Sequence, residues 1–407
     1  MKGFPLKNPT PDFEALESVL LGKQEPKRVH IIDVVDAEVI SHLVQNMMEE
    51  DFPILDESLF SGGSDSHRSE KLARFLSGAD FKLLDGELDE IRIRRDIAFY
   101  YRLGLDFVPD FAPHLYMGSM LAALASEEGI SGGGARRATD TAKEETSRGK
   151  RNWQEEKTGM IRSWDDFERF PWDRIDLDKL GMEEYYRYFA QQLPEGMAVT
   201  AICGLFEPGL VGALFGFEDL CYFLYEQPDL VRAVAEKWGQ LNFDLYERMI
   251  SQKCVGLLWH VDDMAYNKQT MISVEHLREM IVPWLKKYAD LAHRREKMVW
   301  LHCCGNIYPL FEDLIEDVGV DAKHSFENVV MPVEEYMQTY GQRIGGLGGV
   351  DMDKLCRLPE DELREYCRSI LDACMPHGRF AYGSGNSITN YVPTANVLAM
   401  LEEGYRY

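Results

Sequence analysis

The chain has 407 residues, of which 45% are hydrophobic and 11% aromatic. This composition supplies enough apolar surface for a large buried core and is too hydrophobic for a disordered chain. Lys and Arg number 44 against 69 Asp and Glu, a formal net charge of −25. Such a charge disfavours electrostatic binding to nucleic acid or to an anionic membrane surface, so neither is expected as a partner.

Targeting signals and the number and spacing of cysteines indicate the cellular compartment of a protein. Residues 1–22 contain no long apolar run behind basic residues, and nowhere do about 18 apolar residues follow one another. The 8 cysteines are scattered, unlike the dense framework of a small secreted domain, and are predicted to be reduced. We therefore expect a cytoplasmic protein.

Short apolar, β-branched segments alternate with long amphipathic segments along the chain. Helices are predicted over 218–252, with Pro228 opening a second helix, and over 274–295, with a kink or restart at Pro283. Eight strands alternating with helices predict a parallel sheet closed into a (β/α)₈ TIM barrel, with a doubly wound open sheet as the alternative. The eight predicted strands are residues 29–34, 105–108, 197–203, 255–260, 298–302, 320–324, 343–347 and 379–382.

The whole chain, 1–407, is predicted to be a single domain with an N-terminal extension, because barrels with insertions reach this length. In the extension, Thr10 is expected to cap a short helix that covers the barrel floor. Two long segments, 50–96 and 127–157, interrupt the alternation of strands and helices. The second is rich in Gly, Ser, Thr and basic residues, and it is interpreted either as a solvated surface excursion or as a lid.

Polar residues cluster after the predicted strands. In a barrel the chemistry collects at the carboxyl ends of the strands. We therefore predict that the substrate is bound by a subset of these residues, namely His260, Asn306, Asp351 and Ser384. The full set is Asp33, Asp36, Glu207, His260, Asp262, Asp263, His302, Cys304, Asn306, His324, Glu327, Asp351, Ser384 and Asn386.

The end of the fifth predicted strand carries two candidate metal ligands. The two-residue period of a strand places His302 and Cys304 on one face and Cys303 on the other. Zn²⁺ binds Cys sulfur and His nitrogen and needs three or four ligands in all, so this pair is half of a zinc site. Packing alone is the alternative role for both side chains.

Acid and base candidates follow the fourth and sixth strands. Asp262 and Asp263 come directly after an apolar run, and paired carboxylates near a histidine can take separate acid and base roles. His324 and Glu327 form a similar pair, so all four residues are predicted to be catalytic. Each carboxylate could instead cap a helix or pair with a basic group.

Several segments match a known set of motifs in order and spacing. They are Leu301-His302-Cys303-Cys304-Gly305-Asn306, Gly204-Leu205-Phe206-Glu207, Gly216-Phe217-Glu218, Asp262-Asp263-Met264, Gly348-Gly349-Val350-Asp351 and Val392-Pro393-Thr394-Ala395-Asn396-Val397. The first resembles the His-x-Cys-Gly-Asn signature of the uroporphyrinogen decarboxylase superfamily, specifically its cobamide-dependent methyltransferase branch. The resemblance covers roughly residues 90–407.

The resemblance implies a (β/α)₈ barrel and a zinc ion that activates a thiol or polarises a methyl donor or acceptor. It also implies that a cobalamin-bearing protein docks at the barrel mouth. The matching ligands are His302 and Cys304. The branch has a further cysteine in a Gly-Cys-Gly context after the eighth strand, where this sequence has Ser384 between two glycines. A serine hydroxyl is a poor zinc ligand, so either a carboxylate such as Glu207 completes the site or metal binding is weak or absent.

The decarboxylase branch makes a different demand on the same region. Its members carry arginines near the N-terminus, in an Arg-Gln-Ala-Gly-Arg-like run, that bind the carboxylates of the porphyrinogen. Residues 30–36 of this chain contain two aspartates and no such run, so a polyanionic tetrapyrrole is not the expected substrate.

The leading hypothesis is a corrinoid-linked methyltransferase that moves a methyl group between a small methylated compound and a corrinoid protein, with zinc as Lewis acid. The alternatives are a decarboxylase-like lyase that acts on a small non-porphyrin substrate, and a binding protein with a degenerate site. The direction of transfer, the methyl donor and the oligomeric state are left open.

Overall fold

A curled sheet of seven parallel strands lies at the centre of the fold. This computed structural model describes residues 6–47, 71–74, 76–77, 82–130, 137–139, 152–154 and 159–407. The strands, in sheet order, are β1 (Phe107–Val108), β4 (Ala198–Cys203), β5 (Val255–Val261), β6 (Met298–His302), β7 (Ala322–His324), β8 (Gly345–Leu347) and β9 (Phe380–Ala381). A separate antiparallel hairpin consists of β2 (Arg137–Thr139) and β3 (Asn152–Gln154).

Helices cover the outside of the sheet and connect its strands. Two π-helical segments, Phe206–Phe215 and Asp313–Val318, follow β4 and β6. The α-helices are α1 (Phe13–Leu20), α2 (Ala37–Met47), α3 (Glu87–Leu103), α4 (Ala112–Glu127), α5 (Trp164–Arg169), α6 (Met182–Gln192), α7 (Phe217–Glu226), α8 (Pro228–Ile250), α9 (Val274–Met280), α10 (Val282–His293), α11 (Val333–Tyr340), α12 (Met352–Arg357), α13 (Glu360–Cys374) and α14 (Thr394–Arg406).

Seven of the eight predicted strands are present in the sheet, and the predicted strand at 29–34 is not a regular strand. Ile31 forms isolated parallel bridges with Leu105 on one side and with Tyr382 on the other. This segment therefore lies between the two edges of the sheet without a continuous ladder. Part of its hydrogen bonding goes to side chains, because the N–H of Val34 donates to Asp33 and that of Val35 donates to Tyr100.

Two proline positions divide long helical segments as predicted. Helix α7 ends before Gln227, and Pro228 opens α8. In the same way α9 ends before Ile281, and α10 begins one residue ahead of Pro283. Proline has no N–H to donate within the preceding turn, so it is tolerated only in the first turn of each new helix.

Helix α1 covers the amino-terminal end of the sheet, as expected for the floor. Its cap is Asp12 and not the predicted Thr10, because the Asp12 carboxylate accepts the N–H of Ala15 at 2.9 Å. The ring of Phe13 packs so closely on Gly256, at the start of β5, that a Cβ there would lie 2.5 Å from it. The Phe13 ring therefore packs against the amino-terminal end of the sheet at a position where only glycine leaves room for it.

Alternation along the strands separates an inner from an outer layer. Phe107, Trp259 and Trp300, on three different strands, are fully buried and meet in edge-to-face contacts with ring centroids 5.3–6.0 Å apart. This aromatic cluster fills the concave side of the sheet. Residues of opposite parity face the helices, as shown by His260, whose ring meets Tyr246 of α8 and Tyr288 of α10.

Much of the two interrupting segments lies outside the described residues. Of 50–96, helix α3 and the residues just before it are described, and of 127–157 mainly the β2–β3 hairpin. The proposed lid and the single-domain assignment therefore stay predictions. None of the 8 cysteines is in a disulfide bond. In the part of the chain that the structure describes, no helix is both long and apolar enough to cross a lipid bilayer.

Candidate active site and metal centre

The carboxyl ends of β5 and β6 bring the candidate ligands together. The two strands pair in register, with Val261 opposite His302. Side chains alternate along β5, so Asp263, two residues beyond Val261, shares the concave side with His302. Cys304, two residues beyond His302, has the same parity. One carboxylate, one imidazole and one thiol therefore converge from two adjacent strand ends.

The three ligand atoms of Asp263, His302 and Cys304 all lie within 4.8 Å of one another. His302 Nε2 is 3.5 Å from Cys304 Sγ and 3.7 Å from an Asp263 carboxylate oxygen. The same oxygen accepts the backbone N–H of Cys304 at 2.7 Å, which fixes the carboxylate against the turn after β6. This is the one group of three His, Cys, Asp or Glu side chains with metal-binding spacing in the described residues.

Two further side chains donate hydrogen bonds to the Cys304 sulfur. Asn386 Nδ2 lies 3.1 Å from Sγ, and Ser325 Oγ lies 3.4 Å from it. They arrive from the loop after β9 and from the residue after β7, so four segments of the chain meet at this thiol. Donors aimed at a sulfur atom stabilise its anionic form.

Burial controls the protonation of the ligand side chains. It raises the pKa of the Cys304 thiol well above its usual range, and the nearby Asp263 carboxylate raises it further, while Ser325 and Asn386 lower it in part. Burial lowers the pKa of His302, against the opposing effect of Asp263. The imidazole is therefore held neutral, with a lone pair available, while the thiol keeps its proton until positive charge is supplied.

His324 lies beside His302 at the end of β7. The two residues are directly paired in the sheet, and their Nδ1 atoms are 2.7 Å apart. His324 is completely buried, and burial together with His302 and Lys323 holds its pKa well below the usual range. Its ring and that of Trp259 in the inner aromatic cluster meet nearly at right angles, with centroids 5.6 Å apart. His324 therefore contacts His302 of the ligand group through Nδ1, and its ring also contacts the inner aromatic cluster.

Asp262 and His260 lie on the other side of β5. The Asp262 carboxylate accepts the backbone N–H groups of Leu205, Phe206 and Glu207 at 2.6–3.1 Å, and it also binds His260 Nε2 at 2.9 Å. It therefore holds the first turn of the π-helical segment. His260 Nδ1 contacts the Tyr246 hydroxyl at 3.1 Å, so the ring is fixed between the sheet and α8. Both side chains are engaged by these contacts, and the catalytic role of Asp262 and the substrate role of His260 stay predictions.

The other predicted residues occupy distinct positions. Glu327 reaches the group, since its carboxylate accepts the N–H of Gly305 at 3.0 Å. Asp351 caps α12 through the N–H of Lys354 and also accepts the N–H of Asn328. The Asn306 amide lies at the rim, 3.4 Å from the Lys268 carbonyl. Glu207 lies in the first turn of the π-helical segment and is not a member of the three-residue ligand group.

Ser384 faces a buried carboxyl group instead of the ligand group. Its hydroxyl donates to Asp33 Oδ1 at 2.6 Å and its N–H donates to Oδ2 at 3.2 Å. Burial raises the pKa of Asp33 to about 7, although hydrogen bonds from Ser384 and Val34 oppose the shift. The residue at the position of the expected third cysteine is therefore part of a separate polar pair.

Sequence reasoning missed two contributions to the site. Ser325 is not among the predicted residues, although it directly follows a strand that ends in a candidate histidine. Asp263 was assigned to acid or base chemistry, whereas its ligand atom lies with those of His302 and Cys304. The alternation of side chains that places His302 and Cys304 on one face also places Asp263, and not Asp262, on that face. The sequence of β5 could therefore have indicated Asp263 as the third ligand.

A parallel sheet with helices outside and polar side chains gathered at the carboxyl ends of its strands defines an α/β protein of TIM-barrel-like architecture. The family model for uroporphyrinogen decarboxylase (URO-D) matches residues 187–407, which include β4 to β9 and the whole ligand group. The chain belongs to the uroporphyrinogen decarboxylase family, as the resemblance predicted.

One solved structure supports the fold. A methyltransferase from Methanosarcina mazei is similar over 96% of this chain and 97% of its own, with a TM-score of 0.59 and 15% sequence identity. A protein from Listeria monocytogenes described as a vitamin-B12 independent methionine synthase covers 94% of this chain and 96% of its own, with 11% identity and a TM-score of 0.43, too low to carry an argument. No curated protein sequence matches this chain.

Proposed function

We propose that this protein is a methyltransferase that holds a metal ion on Asp263, His302 and Cys304. It would transfer a methyl group between a small methylated compound and a corrinoid carried by a partner protein. The observation that carries the proposal is the convergence of three ligand atoms within 4.8 Å at adjacent strand ends. The methyltransferase activity of a structural relative supports the choice of reaction without establishing it.

The spacing of the ligand atoms fits a tetrahedral zinc ion. With bond lengths of about 2.3 Å to sulfur and about 2.05 Å to imidazole nitrogen, the sulfur and nitrogen should be about 3.6 Å apart. The observed separation of Cys304 Sγ and His302 Nε2 is 3.5 Å. Three protein ligands are the number that catalytic zinc sites use, and a zinc ion held by them would have room for a substrate atom. In this proposal Asp263 would take the place that the sequence suggested for Glu207.

The roles of the chain's own residues follow from their contacts. Ser325 and Asn386 donate to the Cys304 sulfur and would stabilise it as a thiolate ligand. Glu327, held beside the group by the N–H of Gly305, is the carboxylate placed to give a proton to the substrate or take one from it. Bound zinc would supply Lewis-acid polarisation of the methyl donor or acceptor. Asp262 acts as a positioning residue in this scheme.

Metal content is the first test. Protein purified without a metal-binding tag should contain about one equivalent of zinc, measured by elemental analysis. Cys304→Ser and Asp263→Ala should lose most of it in the presence of a chelator, because each removes one of three ligands. Cys356→Ser is the matched control, since this half-buried cysteine lies in α12 outside the group. Zinc retention by Cys304→Ser equal to that of the control would contradict the site.

Activity is the second test. The protein is incubated with reduced cobalamin and a panel of small methylated thiols, amines and alcohols, and methylcobalamin formation is followed by absorbance. Turnover that falls by about 10²-fold or more in Cys304→Ser, with Cys356→Ser unchanged, is the expected result. Release of carbon dioxide from small carboxylic acids without methyl transfer would favour the lyase instead. Tight binding of a compound without turnover would favour the binding protein.

A further inference from the structure

We propose that Lys323 is a positioning residue that ties the turns after β6 and β7 together and thereby brings Ser325 to the Cys304 sulfur. Lys323 is not among the predicted site residues, and it directly precedes His324 on β7. Side chains alternate along a strand, so Lys323 faces the helices while His324 faces the concave side of the sheet. The inference deepens the proposed function, on which it rests for the identity of the ligand group.

The Lys323 side chain is only 2% exposed, although a lysine normally keeps its ammonium group in water. Its Nζ donates to the carbonyl oxygen of Ser325 and lies 3.5 Å from the carbonyl oxygen of Cys303. The same group lies over the ring of Phe326, 4.6 Å from the ring centroid. In the described part of the chain no carboxylate pairs with this Nζ. The ammonium group is therefore held by the backbone carbonyls of two turns.

Lys323 replaces a backbone donor at the point where the pairing of β6 and β7 stops. The last hydrogen bond of this ladder runs from the Cys303 N–H to the His324 carbonyl, at 2.8 Å. In a regular parallel ladder the Cys303 carbonyl would next accept the N–H of Phe326. That N–H instead donates to the Gly385 carbonyl, at 2.8 Å. The Cys303 carbonyl therefore faces the Lys323 ammonium group and not the neighbouring strand.

Both carbonyls belong to residues on which the ligand group depends. Cys303 precedes Cys304, so its carbonyl belongs to the peptide that carries the ligand thiol. Ser325 donates its hydroxyl to Cys304 Sγ at 3.4 Å. An ammonium group between the two carbonyls therefore sets the separation of the two turns, and the O–H···S contact requires that separation. Without the ammonium group two buried carbonyls would lack a donor, so the turns should move apart.

Hydrogen exchange of the metal-free protein tests the inference without a metal. Lys323→Met keeps a side chain of similar length and removes the donor. Lys297→Met is the matched control, because the half-buried Lys297 also donates to a carbonyl, that of Val255 at the start of β5. Amide exchange in 303–306 and 325–328 should be on the order of 10-fold faster in Lys323→Met and unchanged there in Lys297→Met. Equal exchange in Lys323→Met and wild type would overturn the inference.

A second variant at the same position keeps part of the donor. Lys323→Gln has an N–H donor on a shorter, uncharged side chain, so its exchange at both turns should be faster than in wild type and slower than in Lys323→Met. Urea midpoints show whether each variant is folded. If Lys323→Met does not fold, the comparison of Lys323→Gln with wild type decides, and wild-type exchange at both turns would then show that Lys323 stabilises the fold without positioning the turns.

Metal affinity connects Lys323 to the ligand group. Co²⁺ is titrated into the metal-free protein, and its thiolate-to-metal charge-transfer absorption is followed. Lys323→Met should bind Co²⁺ roughly 10–100-fold more weakly than wild type, the usual effect of losing a residue that orients a ligand, whereas Lys297→Met should match wild type. Equal affinity of Lys323→Met and wild type would overturn the inference and leave the metal site intact. Absence of Co²⁺ binding by wild type, with faster exchange at both turns in Lys323→Met, would refute the metal proposal and leave the tie between the turns standing.

Discussion

Asp33 is a carboxyl group that is 1% exposed, and among the described residues it forms hydrogen bonds but no ion pair. A carboxylate in such a position is costly, because burial removes water that no cation replaces. Burial accordingly raises its pKa to about 7. The hydrogen bonds that Asp33 accepts come from the hydroxyl and N–H of Ser384 and from the N–H of Val34.

The raised pKa of Asp33 predicts a pH dependence of stability. The folded state binds this proton more tightly than the unfolded state, so the contribution of Asp33 is most favourable below pH of about 4 and is lost as the pH rises toward about 7. The full difference is on the order of 4 kcal/mol. Asp33→Asn should remove this dependence.

The measurement is a set of urea unfolding curves between pH 4 and 8 for wild type, Asp33→Asn and the control Asp313→Asn. The free energy of unfolding of wild type relative to Asp33→Asn should fall with increasing pH. The corresponding difference for Asp313→Asn should not fall, because hydrogen bonding to Arg278 lowers the pKa of Asp313. Parallel profiles for wild type and Asp33→Asn would show that Asp33 ionises normally.

Asp262 and Asp263, the two residues that follow Val261 at the end of β5, point to opposite sides of the sheet and have different contacts. Asp262 holds three backbone N–H groups at the start of a π-helical segment, whereas Asp263 faces the ligand group. Asp262→Ala should therefore destabilise the protein by about 3–5 kcal/mol, because it leaves buried donors and His260 unpaired. Asp263→Ala should remove metal, and its stability should differ from that of wild type by less than about 1 kcal/mol when both proteins are compared without metal. Thermal unfolding and zinc content of both variants test this, and a stable Asp262→Ala would contradict it.

Helix boundaries and strand faces, which depend on neighbouring residues alone, agree with the structure. The prolines at 228 and 283 break helices by a purely local effect, and strand parity places His302 with Cys304. The segment around Ile31 reads as a strand but forms only isolated bridges, because its hydrogen bonds are shared with side chains from elsewhere. The Asp33–Ser384 pair joins residues 351 positions apart. No periodicity in a single sequence could have indicated it.

The stability of the whole molecule depends on the segment around Ile31, which lies between the two edges of the sheet. On the floor side this segment is tied to the start of β1 by Asp106, which is completely buried. Its carboxylate accepts the N–H of Asp12 at 2.7 Å, the guanidinium of Arg28 at 2.5 Å and the ring nitrogen of His30 at 2.6 Å. One side chain therefore joins the cap of α1, the segment around Ile31 and the first strand.

Asp106→Asn should destabilise the whole protein while leaving the ligand group intact. The substitution keeps the size of the side chain but removes the negative charge that pairs with Arg28 and weakens the acceptor for His30, which should cost about 1–3 kcal/mol. The control is again Asp313→Asn, whose exposed partner is Arg278 and whose loss should cost less than about 1 kcal/mol. Urea midpoints give the stabilities, and zinc content at low urea reports on the site. Because Asp106 lies at the amino ends of the strands and the ligand group at the carboxyl ends, zinc content should match that of wild type. A loss of zinc without a loss of stability would mean that the floor and the mouth are coupled through the sheet.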